Sequence, residues 1–302
     1  MPEMKEPPTN WATHYASLRC PACQGELAPS NVDAVADAGL KCISCGYFYP
    51  IKDDILVVKD QPSDDNLIAR DFYNSPLWPK FRFWEWFFFI CNGGERRARN
   101  VILKHLPRQE NLKLLDVAIG DGVYHSWLPE SWEVVGVDVS SSQLAANQKR
   151  NAGRNIRLIL GEAETLPFQD HSFDAILSIG GFNHFNNPEA SLREMVRVAR
   201  PGAPIVISDE LPDLTNRMIG HRIGLPGIDR WVVSRLMNLG DAFTDLVERN
   251  RHINIAEIGQ RTLVDCQYQV IWRKGGYLMV GRAPASNEAD ASPAGDTCVS
   301  PP

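Results

Sequence analysis

The sequence predicts an α/β protein built on a mostly parallel sheet, with a small cysteine-bearing unit ahead of it. Two observations carry this prediction. From Leu112 onward, short apolar runs of strand length alternate with longer amphipathic stretches. That is the pattern of repeated βαβ units whose sheet is covered on both faces. Before that point, four of the seven cysteines fall in two close pairs, Cys20/Cys23 and Cys42/Cys45. A chain of 302 residues, 44% hydrophobic and 23% charged, has room for a small unit and one large domain. Its net charge of −6 argues against a globally basic nucleic-acid binder.

In chain order, residues 1–17 are expected to form a flexible leader. The first ten are polar and Pro-rich, without the apolar core of a signal peptide, so the expected location is cytoplasmic. No apolar run reaches the ~20 residues that a membrane helix needs. Residues 18–59 hold Cys20-Pro-Ala-Cys23, then eighteen residues, then Cys42-Ile-Ser-Cys45-Gly46. Each Cys-x-x-Cys places two thiolates on one tight turn. Two such knuckles close a tetrahedral four-sulfur site suited to Zn²⁺, and four sulfurs leave no open position, so the metal is expected to be structural. Cys91, Cys266 and Cys298 stand alone and are expected to be inert. Residues 60–66 read as a linker and 67–107 as helical. Within the helical part, Phe81–Ile90 holds seven aromatics in ten residues. Three readings stay open for it: a buried packing helix, an aromatic wall for a flat or apolar ligand, or a membrane-surface contact.

Strands are expected at 112–119, 132–139, 156–163, 173–180 and 203–210, with helices at 140–151 and 188–200. Residues 211–259 are too long for one helix and read as a cap insert. Residues 266–283 read as two strands around a Gly-Gly turn, and 284–302 as a disordered tail. The first strand ends Asp116-Val117-Ala118-Ile119-Gly120-Asp121-Gly122, an acid followed by a small-residue turn that lets a ligand approach the backbone. Asp138 closes the second strand, 18 residues after Gly120, where an acid accepts hydrogen bonds from ribose hydroxyls. Gly161–Phe168 follows the third strand, Phe173–Leu177 opens the fourth, and Arg200-Pro201-Gly202 comes later. A full dinucleotide fingerprint is missing, since 118–123 reads A-I-G-D-G-V; an NAD-binding domain is the weaker alternative. Asp138 also has a plainer reading as the N-cap of the next helix, a role open to Ser140.

On these residues, the stretch from about 112 to 210 resembles the class I S-adenosylmethionine-dependent methyltransferases, near the ubiquinone and menaquinone biosynthesis group. The resemblance implies a seven-stranded, mostly parallel Rossmann-like methyltransferase sheet over 111–283, with one antiparallel strand at its end. It implies cofactor contacts at Asp116, Gly120 and Gly122, with Ala118 standing where the family has glycine. It places the ribose at Asp138 and the adenine beside Val139. The adenine edge falls at Glu162 and Ala163, where the family has Asp in place of Glu162. The methionine part falls at Ser178 and Ile179. The aromatic-rich segment within 60–110 would form a helical lid to which Tyr73 contributes. The cysteine unit, with Tyr49-Pro50-Ile51 and Asp53-Asp54 after its second knuckle, resembles the Trm112-like zinc-ribbon family, whose members often accompany methyltransferases.

Methyl transfer from a sulfonium is an in-line displacement. The protein mainly aligns donor and acceptor, excludes water and, for some acceptors, removes a proton. The candidate catalytic positions lie past the fourth strand, in Gly180–Phe185. His184 is a candidate base near neutral pH, Asn183 a candidate to orient the acceptor, and Tyr124 a candidate to face the substrate or the cofactor's carboxylate. A packing or cofactor-contacting role is the plainer reading of His184. The expected function is S-adenosylmethionine-dependent methyl transfer to a small molecule: a specialised metabolite, a quinone-like compound or a modified peptide. The first alternative is an rRNA or tRNA methyltransferase with a zinc module. The cysteine unit sets only Arg19, Lys41 and Lys52 against Glu26, Asp33, Asp37, Asp53 and Asp54, which disfavours phosphate contacts. The second alternative is a non-catalytic cofactor-binding or partner-binding scaffold. The expected partners are a small-molecule or peptide substrate, without a strong nucleic-acid signal or a transmembrane segment; a homodimer is left open.

Overall fold

The computed structural model describes residues 11, 17–31, 38–91, 93–211, 223–225, 227, 240–250 and 252–285. Nearly all of the expected leader and tail, Cys298, and much of the expected insert at 211–259 lie outside the described residues. Among the described residues, no helix is long and apolar enough to cross a membrane.

Four short strands come first: β1 (Leu27–Asn31), β2 (Ala38–Cys42), β3 (Phe48–Lys52) and β4 (Ile55–Val57), each antiparallel to the next. Three helices follow: α1 (Asp64–Tyr73), α2 (Trp78–Cys91) and α3 (Glu95–Leu103). The alternating region gives β5 (Lys113–Val117), β6 (Glu133–Asp138), α4 (Ser141–Arg150), β7 (Ile156–Leu160), β8 (Ala175–Ile179), α5 (Pro188–Val198) and β9 (Pro204–Glu210). The C-terminal part adds α6 (Asp241–Asn250), α7 (Ile255–Thr262), β10 (Val264–Ile271) and β11 (Gly276–Arg282). Helix starts follow local chemistry. Ser140 caps α4 by accepting from Gln143 N at 3.2 Å, so Ser140, not Asp138, is the cap. Asn187 caps α5 ahead of Pro188, a residue suited to the first helical position.

The expected sheet is present as β7-β6-β5-β8-β9-β11-β10, with β5 to β9 parallel and β11 antiparallel to both its neighbours. Its predicted size requires correction. The described sheet has eleven strands of mixed direction, because β4 pairs in parallel with β7 and carries β3, β2 and β1 outward. The physical reason is the free edge of β7, which β4 satisfies with three buried apolar residues, Ile55, Leu56 and Val57. The chain before β1 is also fastened: Arg19 N donates to Pro167 O at 3.0 Å and Gln169 N to Ser17 O at 2.9 Å. Leu18, Leu40, Tyr49 and Ile51 belong to the same apolar core as Leu115, Val117 and Phe168. The cysteine unit therefore shares the core of the large domain.

The expected linker is short and clamped. Glu162, buried, accepts from Lys59 Nζ and from Ser63 N, each at 2.5 Å, which fixes the entry into α1. Helix α1 in turn packs on α6 through Phe72 and Phe243, stacked with centroids 3.9 Å apart. The β10–β11 connection is a turn at Trp272–Lys274, and Trp272 Nε1 donates to Ala98 O of α3 at 3.0 Å.

Candidate active site and metal centre

A cleft opens at the carboxyl ends of β5, β6, β8 and β9, the usual place for a ligand in an open α/β sheet. Its floor is the turn leaving β5. Ala118 N and Ile119 N both donate to Val137 O, at 2.8 and 3.2 Å. Gly120 N donates to the Asp138 carboxylate at 2.9 Å, and Asn147 Nδ2 of α4 donates to Gly120 O at 3.0 Å. Ala118 sits at φ 61°, a left-handed conformation that costs a non-glycine residue roughly 1–2 kcal/mol. Its methyl group needs Gly181 opposite: a Cβ placed on Gly181 would lie 2.3 Å from that of Ala118. Glycine at 181 thus accommodates alanine at 118.

Asp138 lines this cleft and also accepts from Ser140 N at 2.8 Å. Burial pushes its carboxyl up to about 6, against the lowering effect of the two amides. Val139, Ala163, Ile179 and Gly180 line the same side, and Tyr73 of α1 closes over it, its hydroxyl donating to Gly180 O at 3.4 Å. A Cβ added to Gly120 or Gly180 would meet nothing within 4 Å, so open space lies above both turns. An acid at a strand tip beside two open backbone turns fits the ribose and methionine portions of S-adenosylmethionine.

Four expected cofactor residues lie elsewhere. Asp116 is fully buried and does not line the cleft. Its Oδ2 accepts from Tyr124 Oη and pairs with His125 Nε2, both at 2.8 Å, so it positions the Tyr124 ring that does line the cleft. Gly122 is packed below, where a Cβ would fall 2.4 Å from Asn147 Nδ2. Ser178 is buried beneath the sheet face opposite Ile179. Glu162 does not line the cleft, and its two oxygens accept from Lys59 Nζ and Ser63 N.

The catalytic candidates also sort out differently from the sequence reading. Asn183 lines the cleft, but its amide is committed: Nδ2 donates to Glu210 O at 2.6 Å and Oδ1 accepts from Tyr277 Oη at 3.0 Å. It holds the turn after β8 in place. Burial pushes the His184 ring down to about 4, so it is neutral and weakly basic at neutral pH; its ring centroid is 4.8 Å from that of Phe243. The expected near-neutral base is not found there. Sequence reasoning missed two acids at the end of β9. Burial pushes Asp209 up to about 7, while burial with Glu85 and Asp209 nearby pushes Glu210 up to about 8. Both line the cleft. The available signal was the Asp-Glu pair ending the apolar run 203–208, at the carboxyl edge of the sheet.

The outer wall of the cleft is aromatic, formed by Trp78, Phe81, Phe89, Phe243 and Trp272. Among these rings lie Arg82 and Arg99, which pair with Glu85 and Glu95 at 2.7–3.2 Å. The Arg99 guanidinium also lies over the Phe89 and Tyr124 rings, 4.9 and 5.4 Å from their centroids.

Away from the cleft, the four paired cysteines converge. The sulfurs of Cys20, Cys23, Cys42 and Cys45 all lie within 4.8 Å of one another, with Cys20–Cys45 at 3.7 Å and Cys23–Cys42 at 3.5 Å. Zn–S bonds of about 2.3 Å place tetrahedral sulfurs about 3.8 Å apart, so this donor set fits Zn²⁺. Tyr49 Oη lies 3.1 Å from Cys20 Sγ and supports the site from outside. A Cβ on Gly25 would fall 2.5 Å from Ser44 Oγ and 2.9 Å from Cys42 Sγ, so glycine there lets the knuckles meet.

Residues 115–207 match the family described as methyltransferase domain. The stretch from β5 to β9 is thus similar to a methyltransferase domain. It is 33% identical over 121 residues to the demethylmenaquinone methyltransferase of Renibacterium salmoninarum, a match covering 40% of this chain and 50% of that protein. It is 38% identical over 128 residues to the demethylmenaquinone methyltransferase of Thermotoga maritima, covering 41% and 53%. The chain thus spans about half the length of the curated relatives it matches. Among solved structures, phosphoethanolamine N-methyltransferase 2 of Haemonchus contortus, in complex with phosphomonomethylethanolamine and S-adenosylhomocysteine, aligns at a TM-score of 0.50 and 16% identity. That alignment covers 72% of this chain and 60% of the other, and supports the fold.

Three expectations follow for this domain. Gly181→Ala should destabilise the fold by about 1–3 kcal/mol through overpacking against Ala118, and adding Ala118→Gly should restore most of the loss; denaturant unfolding of both variants measures this. Calorimetry across pH should show cofactor affinity constant well above pH 6 and falling as pH drops through it, by about tenfold per unit, the behaviour expected of a site in which the Asp138 carboxylate must be ionised to accept from a ligand hydroxyl. Metal analysis should find about one zinc per chain. Cys42→Ser should lose that zinc and lower the melting temperature of the whole domain in one transition, since the knuckles share its core.

Proposed function

We propose that the protein transfers the methyl group of S-adenosylmethionine to a flat, largely apolar small molecule, with a quinone-like hydroxyl acceptor as the leading class. The observation that supports this is the aromatic wall that continues directly from the cofactor side of the cleft. The demethylmenaquinone methyltransferases among its relatives support the quinone-like class. S-adenosylmethionine, when bound, supplies a sulfonium-activated methyl group for in-line displacement. Asp138 would accept from the ribose hydroxyls, Val139 and Ala163 would flank the adenine, and Tyr73 would close over the methionine end. The aromatic wall would orient a planar acceptor and exclude water. Glu210 faces the cleft, and a carboxyl raised to about 8 titrates near working pH, which suits it to take a proton from an acceptor hydroxyl. Asp209, by contrast, is occupied by Asn183 N at 2.8 Å and Glu210 N at 2.7 Å. The zinc centre would be structural.

The test is transfer of tritium from labelled cofactor into quinols, apolar metabolite extracts, peptide extracts and total RNA. Counts are expected in the apolar fractions. With a hydroxyl acceptor, Glu210→Gln should lower kcat by about 10²–10⁴-fold while cofactor affinity stays near the wild-type value. Counts in RNA alone would refute the reading.

A further inference from the structure

Helix α2 has its faces inverted relative to an ordinary surface helix. Its only acid, Glu85, and Arg82 turn inward toward the cleft, where they pair with Glu95 and Arg99. The opposite face carries Phe83, Trp86, Phe87 and Ile90, spaced i, i+3, i+4 and i+7, and these are 46–55% exposed. A soluble helix normally buries its apolar stripe and solvates its charges. Four large contiguous apolar side chains in water mark an interaction surface. None of the four lines the cleft.

The ends of this stripe are basic. Lys80 is exposed and lies on the same face, three residues before Phe83. Arg96 and Arg97 are exposed just beyond the other end, and Arg97 leans against Gly93, within about 3.1 Å of where its Cβ would be. This arrangement disfavours a second copy of the chain. Pairing α2 on itself in parallel would set Lys80 against Lys80, and pairing it antiparallel would set Lys80 against Arg97; either brings cations together. An anionic lipid surface reverses that sign. Aromatic side chains favour the headgroup region, and flanking Lys and Arg bind anionic headgroups.

We propose that the outward face of α2 is a bilayer-docking surface, with Phe83, Trp86, Phe87 and Ile90 entering the interface and Lys80, Arg96 and Arg97 bound to anionic headgroups. The opposite face of the same helix lines the cleft, so docking would bring the cleft next to the lipid. The proposal stands apart from the choice of acceptor, because binding to lipid is read without turnover.

Cosedimentation of the full chain with phosphatidylcholine vesicles, made with and without phosphatidylglycerol, tests it. The wild type is expected to pellet with the phosphatidylglycerol vesicles. The triple variant Phe83→Ser/Trp86→Ser/Phe87→Ser should reduce partitioning roughly tenfold or more. Lys80→Glu/Arg96→Glu/Arg97→Glu should abolish the preference for phosphatidylglycerol. Cofactor affinity by calorimetry should stay unchanged in both variants. Should the triple variant also lose cofactor binding, the charge variant alone decides the question. Wild-type protein that stays in the supernatant with both vesicle types would overturn the proposal. So would a wild-type dimer in sedimentation velocity that the triple variant turns into monomer.

Discussion

The turn that leaves β5 is the constraint on which the rest of the site depends. Its two leading amides both end on Val137 O, and the backbone swings into the left-handed region at Ala118 and returns to it at Gly120 and Gly122. This fixes Gly120 N against Asp138 and brings the tips of β5 and β6 together. A non-glycine residue at such a position persists only where its surroundings over-determine it. Here Gly181, from the turn after β8, supplies the space. Cofactor-side geometry therefore depends on two turns at once.

The zinc-type centre belongs to a different part of the fold. Its sulfurs lie on two knuckles at the far edge, while β4 and β3, which follow the second knuckle, join that unit to β7. A unit of this size has little core of its own, and it gains one by sharing Leu18, Leu40 and Tyr49 with the large domain. Four thiolates with a tyrosine beside them leave no ligand position for chemistry. The metal would act on the cleft only by stabilising the edge against which Lys59, Ser63 and Glu162 are fastened.

Much of this was legible from local pattern. The βαβ alternation located β5 to β9 to within a few residues, because parallel strands buried on both faces read as unbroken apolar runs. Asp138 was legible because its position follows from its own strand end, and the four cysteines because each knuckle is local. Glu162 was misread because its partners, Lys59 and Ser63, lie about a hundred residues earlier in the chain. Asn183 was misread for the same reason, its amide being used by Glu210 and Tyr277. His184 looked like a base because its sequence neighbours say nothing of the burial that lowers it. The strand count failed where the small unit joined the sheet through an edge, and edge pairing leaves no periodic signal of its own.

The aromatic wall is tied to the end of β5 through charge. Arg82, Glu85, Glu95 and Arg99 lie among aromatic rings, where a single unpaired charge would be costly, so they neutralise one another as two acids and two bases. Arg99 is the link that leaves the group: its guanidinium lies over the Tyr124 ring, and the Tyr124 hydroxyl donates to Asp116 at the end of β5. A displacement of α2 would therefore pass through Arg99 and Tyr124 to the strand from which the left-handed turn emerges. The helix that forms the aromatic wall and the turn leaving β5 are thus connected through one chain of contacts. Such a coupling would hold a donor and an acceptor in line, which is most of what the proposed displacement asks of a protein.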